Sequence, residues 1–198
     1  MKLSTIVKTL TLAEMVLRRG NSSEPQSLDP QISTGVPSSN IQRDLFEGIV
    51  AEDKDGNIVP GVAEKWEISE DGLTYTFHLR DTTWTNDDKI TADDIVYAWQ
   101  RGVNPATGSD YSFMLYPIKN AQAIAEGKEK DIAKLGAKAL DEKTLQVTLE
   151  NPTPYFLSML AHPFTYPVPK KVVEKYGKAW TKAENIVSNG PFKMSKWT

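Results

Sequence analysis

Between residues 66 and 103 the hydrophobic period changes from two to nearly four, and that switch constrains the fold more than any other feature of the chain. Tyr75, Phe77 and Leu79 alternate with Thr74, Thr76, His78 and Arg80. Side chains on a strand point to opposite faces in turn, so this segment predicts a half-buried strand, apolar inward and polar outward. Asp71-Gly72 lies just before it, after Trp66 and Ile68. An Asp-Gly pair between two such runs marks a tight hairpin, because glycine accepts the positive φ that the turn needs. Thr91-Ala92-Asp93-Asp94 then has the form of a capping box, with Asp where Glu or Gln is commoner. Ala92, Ile95, Val96, Trp99 and Val103 follow on one helical face, and Asn104-Pro105 ends the helix. A hairpin followed by an amphipathic helix buries one against the other. Tyr75, Phe77, Leu79, Ile95 and Trp99 are therefore expected to share a core.

The flanking sequence predicts more of the same architecture. Asp55-Gly56 marks an earlier hairpin between Ile49-Val50 and Ile58-Val59. Residues 138–140 and 145–149 pair as strands around Asp141-Glu142-Lys143. Helical stretches are expected at 113–125, 155–160 and 171–176. Another is expected with Ser39 or Asn40 as cap, carrying Ile41, Arg43, Leu45 and Phe46. Residues 190–194 read as the beginning of a strand. The sum is an α+β, or mixed α/β, chain with an antiparallel subdomain over 49–165.

Function classes are narrowed mostly by what the residues lack. The net charge of −3 offers no phosphate-binding surface, so nucleic acid is a poor partner. No run approaches the roughly 18 apolar residues of a membrane span, so no membrane insertion is expected. The chain has no cysteine, which removes disulfides, thiolate catalysis and Cys-based zinc sites. His78 and His162 are the two histidines; with no ligand spacing around them, no metal or other cofactor is expected. Asp87-Asp88, Asp93-Asp94 and the Glu67/Glu70 pair suit turns, caps and solvated faces better than paired catalytic carboxylates. No nucleophile elbow or phosphate-binding glycine loop is present. The chain is not expected to be an enzyme. Trp66, Trp84 and Trp99 are expected in the core rather than as a stacking platform.

The N-terminus begins like an export signal, with Met1-Lys2 before Leu3-Ser4-Thr5-Ile6-Val7, but Lys8 and then Glu14 interrupt it. A signal core needs about 7–15 apolar residues in a row, so residues 1–19 are expected to be a vestigial or absent signal region.

From about residue 23 to 197 the motifs, taken in order, resemble those of the periplasmic oligopeptide-binding proteins, family 5 of the solute-binding proteins that serve ABC peptide importers. Ser27-Leu28-Asp29-Pro30 resembles the family's opening motif. Asn40-Ile41 and Arg43-Asp44-Leu45-Phe46-Glu47-Gly48 resemble its first helix. Gly61-Val62-Ala63-Glu64 with Trp66, then Asp71-Gly72, Thr76-Phe77 and Leu79-Arg80, resemble its signature. Trp84, Ala92-Asp93-Asp94 and Arg101 continue it. Pro167-Val168-Pro169-Lys170 and Asn189-Gly190-Pro191-Phe192 resemble the return into the first lobe. Where the family has a glycine three residues after the tryptophan and a proline two beyond that, this chain has Asp87 and Lys89, so an altered turn is expected there.

The resemblance implies a type II periplasmic-binding-protein clamshell, truncated so that only the N-terminal lobe region is present. Residues 20–48 would be the first part of lobe I, and 166–198 its incomplete return. In the whole family, two lobes close about a hinge on the ligand. It further implies a monomer that binds oligopeptides in the periplasm, largely through backbone hydrogen bonds, and passes them to the membrane permease subunits of an ABC transporter. The implied ligand-facing residues are Thr34, Gly35, Val36, Arg43 and Tyr111, with Thr34 standing where close peptide binders carry a glutamate. The acidic group that receives the peptide amino terminus belongs to the family's other lobe, so this shortened chain is expected to bind weakly or not at all. A binder of another solute (a dipeptide, nickel or haem) and a small interaction or scaffold protein remain as alternatives. Taken alone, the residues leave Gly35 as a turn former and Arg43 as a partner of Asp44 or Glu47.

Overall fold

The computed structural model describes residues 16–18 and 20–197; the leader-like residues 1–15 and 19 lie outside the described residues. A helix α1 (Gly35–Leu45) leads into a two-stranded ribbon of β1 (Val50–Glu52) and β2 (Ile58–Pro60). A four-stranded antiparallel sheet follows, in the order β3 (Ala63–Ile68), β4 (Thr74–Leu79), β6 (Thr144–Thr148) and β5 (Ala137–Asp141). Helix α2 (Ala92–Val103) packs on β5, beside the short α3 (Ala121–Ala125). The chain closes through α4 (Phe156–Met159), a single turn at Pro163–Thr165 and α5 (Lys170–Tyr176). Among the described residues no helix is long and apolar enough to cross a membrane.

The period switch does what its spacing requires. Gly72 turns the β3–β4 hairpin at φ +69°, and Gly56 turns the β1–β2 hairpin at φ +82°. Phe77 pairs with Trp66 on one side and Leu145 on the other, which carries the apolar face across the sheet. Tyr75, Phe77, Leu79, Ile95 and Trp99 are all buried in one cluster. Burying each such side chain contributes about 1.5–3 kcal/mol. Trp99 also satisfies its indole N–H, donating to the Thr165 carbonyl at 2.8 Å. Trp84 is buried and Trp66 half-buried. The same cluster takes in Leu28, Leu45 and Phe46 from the N-terminal segment and Val172, Val173 and Trp180 from the C-terminal one.

Three local expectations are corrected. Helix α1 starts at Gly35, after Thr34, rather than at Ser39 or Asn40. Gly35 takes φ +82°, a conformation glycine accepts without strain, and this turns the chain into the helix. Pro37 then fits in the first turn, where its missing N–H costs nothing.

The stretch 113–125 is not one helix. It divides into a turn at Ser112–Leu115 and α3, because Ile118 bridges to Leu149 and the Lys119 N–H donates to the Thr148 carbonyl at 2.9 Å. Pairing with the sheet overrides helix propensity there, and Asn120 reverses the chain at φ +65°.

Residues 190–194 form no strand. Asn189 and Gly190 instead donate their backbone N–H groups to the Leu45 carbonyl, at 3.2 and 2.7 Å. The Asn189 side chain exchanges a pair of 3.0 Å hydrogen bonds with the Glu47 backbone. This return motif is thus a backbone clamp on the end of α1.

The turn after Trp84 closes despite its substitutions. Asp87 takes φ +68°, its N–H donates to the Trp84 carbonyl at 2.9 Å, and Thr83 bridges to Lys89. Aspartate occupies the left-handed conformation that glycine would take without a Cβ penalty.

Candidate functional site

Helix α1 presents one open stripe. Val36 is 68% exposed, and Arg43, seven residues on, is exposed as well. A seven-residue spacing returns to the same face of a helix about 10 Å along its axis. Thr34, ahead of the helix, does not cap it. Its hydroxyl donates to Gln26 Oε1 at 2.6 Å, so the first-turn N–H groups receive nothing from that side chain. Where the resemblance implies a strand-like contact from Thr34-Gly35-Val36, the chain is the beginning of a helix.

A second element carries a histidine. His162 opens the turn Pro163–Thr165, and its Nδ1 accepts the Phe164 backbone N–H at 3.2 Å. That bond needs the Nδ1 lone pair, so the neutral ring carries its proton on Nε2 and can only donate there. Burial, and secondly the Arg43 charge, push the His162 pKa below the ordinary 6.5, which keeps the ring neutral near pH 7. Tyr111 completes the cluster, with its ring centre 5.3 Å from His162, 5.8 Å from Phe113 and 6.5 Å from Phe164. Phe113 is 49% exposed, so an apolar shelf borders the polar groups.

Glu47, near Arg43 in sequence, is engaged elsewhere. Glu47 forms its ion pair with Arg80. Among the described residues Arg43 makes no ion pair, and no group of three or more His, Asp or Glu is arranged to hold a metal. Of the five residues singled out in sequence, Tyr111 packs on His162, and Val36 shares the Arg43 stripe. Gly35 supplies the helix start, and Thr34 turns to Gln26. His162 was not legible as part of a site, since its partners lie 51 and 119 residues away in sequence.

Comparison with known proteins places these features in a lineage. The model for "Bacterial extracellular solute-binding proteins, family 5 Middle" matches residues 57–198. The periplasmic oligopeptide-binding protein OppA of Escherichia coli is 51% identical over 192 residues, covering 95% of this chain and 35% of that protein. The probable deoxycholate-binding periplasmic protein YgiS of Escherichia coli is 45% identical, over 93% of this chain and 35% of its own length. Among solved structures, Haemophilus influenzae OppA in complex with the peptide RPPGFSPFR superposes with a TM-score of 0.85 at 45% identity, covering 89% of this chain and 35% of that one. The chain thus spans about a third of the length of the relatives it matches. The chain belongs to family 5 of the bacterial extracellular solute-binding proteins.

Proposed function

We propose that this chain supplies one wall of the ligand site of a solute-binding component of an ABC peptide importer, working as a monomer in the periplasm and passing oligopeptides to the permease subunits. The observation that carries the reading is the open α1 stripe of Val36 and Arg43, backed by 51% identity to a periplasmic oligopeptide-binding protein. Nothing in this arrangement pairs a nucleophile with a base, and the reading assigns no catalytic role. A peptide laid along the stripe would meet first-turn backbone donors at one end, contacts that ask little of peptide sequence.

A second reading, a site for a different small solute, is favoured by the 45% identity to a probable deoxycholate-binding protein. Titration of isotopically labelled chain with trialanine, followed by backbone amide shifts, separates the two. Saturable shifts at Val36 and Tyr111 are expected for a peptide site. Shifts with deoxycholate and none with trialanine would favour the second reading, and none with either would overturn both.

A further inference from the structure

We propose that Asn189 is a site of spontaneous deamidation, held shut by the clamp on α1, and that its conversion unlocks the clamp for good. Asn189-Gly190 is the one Asn-Gly pair in the chain. Deamidation of an asparagine begins when the next backbone nitrogen attacks the side-chain amide carbon. Glycine in the next position allows this most readily, because no Cβ obstructs the approach and the backbone turns freely. In the fold every reacting group is already engaged. The Gly190 N–H donates to the Leu45 carbonyl at 2.7 Å. The Asn189 amide oxygen accepts the Glu47 N–H, and the amide nitrogen donates to the Glu47 carbonyl, each at 3.0 Å. These bonds must break before the Gly190 nitrogen can reach Asn189 Cγ. Both residues are only half-buried, so water meets them once the clamp opens.

The reaction needs water and nothing else. A bond forms from the Gly190 nitrogen to Asn189 Cγ, the Cγ–Nδ2 bond breaks, and ammonia leaves with the proton that the Gly190 nitrogen gave up. Water then adds to either carbonyl of the cyclic imide and opens it to aspartate or, with the main chain rerouted through the side chain, to isoaspartate. Neither product fits the clamp. Glu47 presents one donor and one acceptor to residue 189. An aspartate carboxylate still accepts the N–H, but its second oxygen has no proton for the Glu47 carbonyl, and two acceptors face each other. Isoaspartate adds a methylene to the main chain. The Gly190 and Phe192 N–H groups then lose their register with the Leu45 and Asp44 carbonyls. The return segment is thereby released from the exit of α1, the helix that carries the Val36 and Arg43 stripe. With ammonia lost to solvent, the change does not reverse.

The test incubates the intact chain at neutral pH, folded in buffer and unfolded in urea, and follows every asparagine by peptide mass spectrometry. Isoaspartate is scored separately by enzymatic methylation. In urea, Asn189 should convert before any other asparagine. In buffer it should convert at least about tenfold more slowly, because attack waits on local opening. Under mild, sub-denaturing urea its rate should rise in step with hydrogen exchange at the Gly190 amide, since both processes need the same nitrogen free. Asn189→Asp reproduces one product. Its Gly190 and Phe192 amides should exchange about tenfold faster than in the parent chain, with those of β4 unchanged. If that variant does not fold, the deamidated fraction of the parent chain, separated by its added negative charge, gives the same measurement. Equal Asn189 rates in buffer and urea would overturn the proposal by showing that the clamp gates nothing. Parent-like protection of Gly190 after conversion would overturn it too, by showing that the product leaves the clamp closed.

Discussion

The Arg101 guanidinium closes on the buried Asp29 carboxylate through two hydrogen bonds, Nη1 to Oδ1 at 3.1 Å and Nη2 to Oδ2 at 2.7 Å. Asp29 is 3% exposed and its oxygens are used further, accepting the Gln31 N–H at 3.1 Å and the Trp180 indole N–H at 2.8 Å. One carboxylate thus ties the N-terminal segment to α2 and to Trp180. Gln31 extends the tie, its amide donating to the Phe164 and Tyr166 carbonyls at 3.1 Å.

Asp29→Asn keeps the shape and removes the charge, leaving Arg101 without its counterion. Because the Arg101 side chain retains 19% exposure, we expect the loss to fall toward the low end of that for a broken buried pair, about 2–4 kcal/mol. Urea denaturation of Asp29→Asn, Arg101→Gln and the double variant checks it. The double variant should lose clearly less than the sum of the single losses. Strict additivity would mean that the two groups do not act as a unit.

Asp87 shows the opposite situation, a residue carrying strain for no visible gain. It is exposed at φ +68°. A left-handed conformation costs an L-residue about 1–2 kcal/mol, less for aspartate, and glycine escapes it while losing more chain entropy on folding. Asp87→Gly should therefore stabilise the chain by about 0.5–1 kcal/mol. A higher urea midpoint with unchanged m-value would agree; a lower midpoint would mean that the Asp87 side chain holds the turn.

Much of the fold could be read locally. Both Asp-Gly hairpins and the Thr91 helix were legible because a turn residue and a period of two or 3.6 specify them within a dozen residues. What escaped was decided at a distance. The break at Ile118 follows from pairing with Leu149, and the absence of a strand at 190–194 follows from the docking on Leu45. Asp29 and Arg101 were both in recognised motifs, yet nothing local marked them as partners 72 residues apart. The candidate site divides in the same way. Arg43, Tyr111 and Val36 came from resemblance to a family, while His162 emerged only when the fold brought it beside Tyr111.

The clamp formed by Asn189 and Gly190 sets a steric limit. A Cβ on Gly190 would lie 2.5 Å from the Leu45 carbonyl carbon and 2.6 Å from the Phe46 nitrogen, both backbone atoms of the α1 exit. Backbone cannot yield as a flexible side chain can, so Gly190→Ala should either break the hydrogen bonds to Leu45 or displace the segment. We expect a loss of about 1–3 kcal/mol, as for other overpacked sites. Hydrogen exchange should show the Gly190 and Phe192 amides losing protection while those of β4 keep theirs. Retained protection at Gly190 would contradict the clamp.

Asp94 sets two electrostatic effects against each other, and pH separates them. Its carboxylate accepts from the Thr91 N–H at 3.0 Å and from the Lys170 N–H at 3.3 Å, at the positive end of α2. Those contacts favour the charged form. Burial disfavours it and is the larger effect, so the Asp94 pKa lies above the ordinary 3.8. The folded state then binds the proton more tightly than the unfolded one. The stabilisation from protonated Asp94 is fully present below the unfolded value and is lost as pH rises through the folded one. Asp94→Asn cannot titrate, so subtracting its stability from that of the parent chain isolates this group from the other carboxylates. The difference should favour the parent chain more at pH 3 than at pH 7, even if the substitution costs about 1 kcal/mol throughout through a poorer cap. A difference that grows toward pH 7 would show that the helix terminus and its hydrogen bonds outweigh burial at Asp94.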